Sequence, residues 1–200
     1  MCACLRQIVA TYAMKKPFLL CAAVVVASFP VFAEEVDDGV SCGYAGASAG
    51  VLLPGNGSSL KRAALVAARG GWYLDEYLAL EAEALCAPNA ASGEGCTPVW
   101  GGAVQALWHL SGWEAFDKLF GCERFAPFLT GGVQTLCAPR HVFADGSHRT
   151  GTGPCAGFGA FYHLTDNISL RAEARAALAV DSPCGMAYSL LAGVQFSFGD

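Results

Sequence analysis

Arg171, Glu173 and Arg175 stand at alternate positions, and Glu81 and Glu83 repeat that spacing with acids alone. Residues two apart share a face in a strand but not in a helix, so these charges can converge only if extended backbone presents them to a common space. Arg69, Gln105, His109, Gln134, His163 and Gln195 fall on the polar side of their own alternating segments. Together these residues could form an ion-pair core or a gated ion path. His109 near Ser111, and His163 near Thr165, have the spacing at which an imidazole could activate a hydroxyl, while His141, Ser147 and His148 lie together in a turn-rich stretch. The ten cysteines include no CxxC pair and have few histidines near them, so neither zinc nor any other cofactor is expected.

The segments that carry these residues alternate with period two. Ile168, Leu170, Ala172, Ala174, Ala176 and Leu178 share one face, and Ser169, Arg171, Glu173, Arg175 and Ala177 the other; a helix would mix the two sets. Tyr188, Leu190, Ala192, Val194, Phe196 and Phe198 repeat the pattern after a short turn at Asp181 to Gly185. Six further strands are expected: Cys42 to Leu53, Ala63 to Tyr73, Leu78 to Ala84, Trp100 to Leu110, Phe125 to Cys137 and Ala156 to Leu164. Turns are expected at Leu74 to Tyr77 and at Thr165 to Asn167, and longer connections at Pro54 to Arg62, Ala87 to Pro98 and Ala138 to Pro154.

Composition limits what such strands can build. The chain has 200 residues, 54% hydrophobic and only 14% charged, yet no apolar run after Phe32 reaches the ~18 residues of a spanning helix. A polytopic helical membrane protein is thereby excluded. High hydrophobicity also excludes disorder, and the net charge of -5 leaves no basic footprint for nucleic acid. A soluble sandwich would turn its apolar face inward and show Lys, Glu and Thr outside, whereas here the second face is Gly, Ser, Gln and charges that can pair. The fold expected is therefore all-β: an eight-stranded antiparallel transmembrane up-and-down β-barrel, apolar face to lipid and polar face to the lumen. Closure removes sheet edges, whose backbone groups hydrocarbon could not satisfy. Trp72, Trp100, Trp108, Tyr162, Tyr188 and Phe198, near strand ends, would form aromatic girdles. Trp113, Phe116, Leu119 and Phe120 have helical spacing, so Ser111 to Arg124 is expected to hold a short amphipathic helix in the second inner turn.

From Val40 to Phe198 the chain resembles the eight-stranded outer-membrane β-barrel family, typified by the OmpA transmembrane domain and the Opa-like surface proteins. The most specific piece is the last strand, where Leu190, Ala192, Val194, Phe196 and Phe198 alternate to a terminal aromatic; here Gly199 and Asp200 follow it. The resemblance implies an outer-membrane location in a Gram-negative cell, contact with outer-membrane lipid and lipopolysaccharide, and insertion by the barrel-assembly machinery. An envelope-structural or surface-interaction role is expected, without catalysis; the alternatives are an adhesin or resistance protein acting through its outer loops, a narrow ion channel, a lipid A-modifying enzyme and, if the apolar face turns inward, a secreted soluble β-sandwich.

Residues 1–33 are read as an extension plus a signal peptide: Lys15 and Lys16 precede an apolar stretch from Pro17 to Phe32, translation is expected to start at Met14, and cleavage to follow Ala33. Residues 34–39 form an acidic leader and 40–198 the barrel. Nine basic residues against 17 acids leave the mature chain near -8. Seven cysteines survive into an oxidising compartment. Spacing does not fix their connectivity, but sorting by barrel end is compatible with Cys86 paired with Cys96, Cys137 with Cys155 and Cys42 with Cys122, Cys184 being free or exchanging with the Cys137 and Cys155 pair. With eight strands the lumen is only wide enough for side chains to fill it. Arg171 and Arg175 are expected to plug it by pairing with Glu81, Glu83 and Glu173.

Overall fold

The computed structural model describes residues 43–55, 60–88, 98–110, 124–138, 149–179 and 185–198. Eight antiparallel strands close into a barrel in sequence order: β1 Gly43–Pro54, β2 Ala63–Tyr73, β3 Leu78–Ala87, β4 Val99–His109, β5 Phe125–Ala138, β6 Arg149–His163, β7 Ile168–Ala179 and β8 Gly185–Phe198. β8 pairs with β1 from Gly43 opposite Phe198 to Pro54 opposite Ala187, so the sheet has no free side.

The register sets the shape. One row of paired residues runs from Cys137 through Trp100, Cys86, Val66, Ala49, Ala192, Ala172 and Ala160 to Pro127, returning to β5 ten residues from where it left. Eight strands with this stagger, at ~4.7 Å spacing and ~3.3 Å rise, tilt by about 41° on a backbone cylinder of about 8 Å radius. On β4 the outward Trp100 and Trp108 then lie about 20 Å apart along the axis, close to the ~25 Å apolar band of such barrels.

Two tight turns close the inner end, where β1 begins. In the first, Asp75 Oδ1 accepts hydrogen bonds from the backbone N–H groups of Tyr77 and Leu78, each at 2.8 Å. In the second, Thr165 Oγ1 accepts from the N–H of Ile168 at 3.1 Å. Both side chains satisfy backbone groups that the sharp reversal leaves without ladder partners.

The structure departs from the sequence reading at β6, which begins at Arg149 rather than Ala156. Arg149 to Pro154 looks like loop because it is rich in Gly, Thr and Pro, yet it continues the ladder on β5 from Ala138 opposite Arg149 to Val133 opposite Pro154. Thr135 and Thr152 join their hydroxyls across that pair at 3.0 Å. Pairing of β6 with β7 stops at Cys155 opposite Ala177, so Pro154, which has no N–H to give, stands just past the last rung on that side. The helix expected at Ser111 to Arg124 lies outside the described residues, apart from Arg124 itself.

Candidate functional site

Burial runs inside out. Val104, Trp108, Leu129, Phe158, Leu170, Leu190 and Phe196 are exposed on the outer wall, Phe158 at 65%, while Arg69, Glu81, Glu83, Arg171, Glu173 and Arg175 are buried at 5% exposure or less. Water as the surrounding solvent would select the opposite arrangement. An outward belt this apolar is the surface that hydrocarbon demands. Of the girdle residues, Trp108, Tyr162, Tyr188 and Phe198 are exposed on this wall and Trp72 and Trp100 partly so.

The six charges meet in the middle of the lumen. Arg171, on β7, reaches across to β3, where Nη1 donates to Glu81 Oε2 at 2.5 Å and Nη2 to Oε1 at 3.2 Å. Its Nη2 also donates to Glu173 Oε2 at 2.8 Å. Arg175 clasps Glu83 at 2.6 and 3.2 Å and Glu173 through Nε at 2.9 Å and Nη2 at 2.7 Å. Arg69, on β2, donates to Glu173 Oε2 at 2.8 Å, and its Nη2 lies 2.9 Å from Glu83 Oε2 as an ion pair without hydrogen-bond alignment. Glu173 is thus shared by all three arginines. Formal charge balances at three against three, and bidentate geometry offsets part of the desolvation cost.

Neutral polar groups complete the layer. Gln105 Nε2 donates to Glu81 Oε1 at 2.6 Å, and Arg175 and Arg171 each approach a glutamine, Gln134 and Gln195, at 3.5 Å. Tyr44, which sequence reasoning does not single out, donates its hydroxyl to Glu81 Oε2 at 2.9 Å. Its parity with Ser48 on β1 is the available clue. Gly71 makes the reach possible, because a Cβ there would come within 2.5 Å of the Tyr44 ring.

Two layers without charge flank the network, and neither is apparent from the alternation of residue types. Toward the outer end Leu52, Leu65, Leu85, Val99, Leu136 and Leu191 pack inside the barrel. Toward the inner end Tyr44, Leu107, Phe128 and Phe161 form a second cluster, with Tyr73 against it. His109 and His163 belong to this inner layer: His109 stacks on Phe161 at 5.5 Å, and His163 on the same ring at 6.3 Å. The hydroxyl that meets His163 is that of Ser169, 2.8 Å from Nδ1, and not that of Thr165, which caps its turn. Ser111, read beside His109, lies outside the described residues.

The cysteines separate. Cys137 stands opposite Thr150 and Cys155 opposite Gly132, five rungs apart. Alternation puts Cys137 on the outer wall with Val133 and Cys155 in the lumen with Phe161, and both are free thiols, as is Cys86. This corrects the pairing of Cys137 with Cys155: side chains on opposite faces of one sheet cannot meet the ~5.5 Å Cα spacing a disulfide needs. A β6 that starts at Ala156 would put both cysteines at the feet of one loop; the earlier start at Arg149 carries Cys155 into the wall. Cys42, Cys96, Cys122 and Cys184 lie outside the described residues. Among the described residues no group of three or more His, Cys, Asp or Glu could hold a metal ion.

No protein-family model matches the sequence, and no curated protein matches it. Solved structures do. The N-terminal β-barrel domain of Pseudomonas aeruginosa OprF is similar with a TM-score of 0.55 at 15% identity, over 78% of this chain and 97% of that one. Neisserial surface protein A is similar with a TM-score of 0.56 at 16% identity, over 78% and 96%. Ail, the attachment invasion locus protein of Yersinia pestis, solved with the heparin analogue sucrose octasulfate, gives 0.52 at 12% identity, over 78% and 97%. With identities this low, what is held in common is strand count, order and closure: the chain has the eight-stranded β-barrel fold of outer-membrane proteins.

Proposed function

We propose that this protein is an integral outer-membrane barrel with an envelope-structural or surface-interaction role, its lumen filled by a polar core that neither conducts nor catalyses. The observation that carries this reading is the inversion of burial, with six charged side chains inside and leucine, valine and aromatics outside. Residues 1–33 direct export and are removed, the barrel-assembly machinery inserts the rest, and lipopolysaccharide and phospholipid surround the belt. Against catalysis stands the setting of His163 and Ser169, where the imidazole meets a hydroxyl but, among the described residues, no carboxylate is hydrogen-bonded to it. Against conduction stands the packing of leucines above and aromatics below the charges.

Surface contact would come from the outer end, where Lys61 and Arg62 are exposed. The similarity to Ail makes a sulfated polysaccharide a reasonable first probe of that contact. The decisive experiment refolds the mature chain into detergent and compares unboiled with boiled samples on a semi-native gel, followed by recording in planar bilayers. A faster, protease-resistant unboiled band without stepwise current is expected. A chain soluble without detergent, with no band shift, would overturn the membrane reading, and steady single-channel steps would overturn the closed lumen.

A further inference from the structure

The inner floor of the lumen is a layer of rings: Tyr44, Tyr73, His109, Phe128, Phe161 and His163. Tyr44 and Tyr73 meet at 5.3 Å, Tyr73 and His109 at 5.6 Å, and Phe128 and Phe161 at 4.7 Å between centroids. The Arg171 guanidinium lies over this floor, 4.7 Å from the Phe128 centroid and 5.4 Å from that of Phe161. His109 is only 8% exposed, and its Nε2 has no hydrogen-bond partner among the described residues.

Among the described residues, a proton arriving at Nε2 would find no acceptor. Among the described residues, the titratable and charged groups facing His109 are Tyr73 from β2, His163 from β6 and Arg171 from β7, with Tyr44 of β1 behind Tyr73 and bonded to Glu81 of β3. None of the three groups facing His109 is an anion, and Glu81, behind Tyr44 and Arg171, already accepts through both oxygens from Arg171, Tyr44 and Gln105. Two cationic imidazoles would also share Phe161 with a guanidinium. A buried cation without an acceptor, close to like charge, disfavours whichever packing holds it there.

We propose that His109 and His163 make the aromatic floor an acid-sensitive latch, shut while the imidazoles are neutral and loosened when they take up protons, which opens the inner mouth of the lumen to water and small ions. Imidazole is the side chain that ordinarily changes charge between about pH 5 and 8. The closed floor is therefore favoured above that window and lost as pH falls through it. This inference rests on the lumen being shut at neutral pH.

The test follows unfolding of the detergent-refolded barrel at a fixed elevated temperature, as loss of the fast-migrating band, at about pH 7.5 and about pH 5. The rate in the original chain is expected to rise about tenfold or more at the lower pH, equivalent to one unit of differential protonation. His109→Phe, which keeps the stack but cannot titrate, should remove most of that rise, and His163→Phe a smaller part. An unchanged rate in the original chain, or a full rise in both variants, overturns the latch. If His109→Phe does not fold, an NMR titration of the original chain decides. Proximity of the Phe161 and His109 rings that persists after His109 is protonated refutes the proposal, and separation of the rings in step with protonation supports it. Failure of the barrel reading is recognised separately, by absence of the fast band at neutral pH.

Discussion

Inside one lumen, the charged middle and the leucine-filled outer end close the same cylinder by different physics. Glu81, Glu83 and Glu173 hold three arginines through directed bonds of 2.5 to 3.2 Å, each dependent on its partner's position. Leu52, Leu65, Leu85 and Leu191 fill space without direction and exclude water by contact. Directed pairing thus ties β2 and β3 to β7 across the lumen, while apolar packing makes the seal. Removing a member should therefore cost the middle layer more per residue than the outer one.

The sharpest break is Glu173→Ala, which leaves Arg69, Arg171 and Arg175 short of their common partner. Its stability in a urea titration of the refolded barrel is expected to fall by about 3 to 5 kcal/mol, the cost of stranding a buried charge. Leu85→Ala, in the outer layer, should cost roughly 2 to 4 kcal/mol in the same titration, because it leaves a cavity without stranding a charge. If the leucine change proves the costlier, the middle layer is wetter and more adaptable than its geometry implies.

An arginine transferred to the outer wall tests the same contrast from the other side of the sheet. Val104→Arg should destabilise the lipid-embedded barrel by about 2 to 4 kcal/mol and hardly affect a soluble sandwich, so comparing refolding in bilayers with solubility in buffer separates the two. At the inner turn, away from both layers, Asp75→Ala removes the acceptor of two backbone hydrogen bonds and should cost about 1 kcal/mol, read as a small shift of the urea midpoint.

Much of this arrangement is legible residue by residue. On β7 the alternation of Leu170, Ala172 and Ala174 with Arg171, Glu173 and Arg175 announces both the strand and its faces, because period two admits one assignment once residue types differ so sharply. The inner turns are legible from Asp75 and from Thr165 to Asn167. For Phe128 and Phe161 parity gives the inward face but not the packing, since the rings they meet come from other strands. Arg149 to Pro154 is hidden for another reason: its strand state comes from pairing with Thr135 and Leu136, which overrides the weak local preference of glycine and proline.

The sequence by itself determined strand number, the parity of the strands that carry charge, the inward direction of the charges and the apolar outer wall, because these depend only on a repeat of two and on which residue types hydrocarbon accepts. Tertiary structure decided which charges meet. Arg69 and Glu173 are 104 positions apart and join only because closure with a ten-residue stagger brings β2 and β7 level across the lumen. That same stagger fixes the height of the aromatic floor. The separation of Cys137 from Cys155 came from the pairing of β6 with β5, and Tyr44 came to Glu81 through the space at Gly71. Registers of this kind are properties of the closed sheet as a whole, in which each rung is set by all the others and no single strand encodes its own.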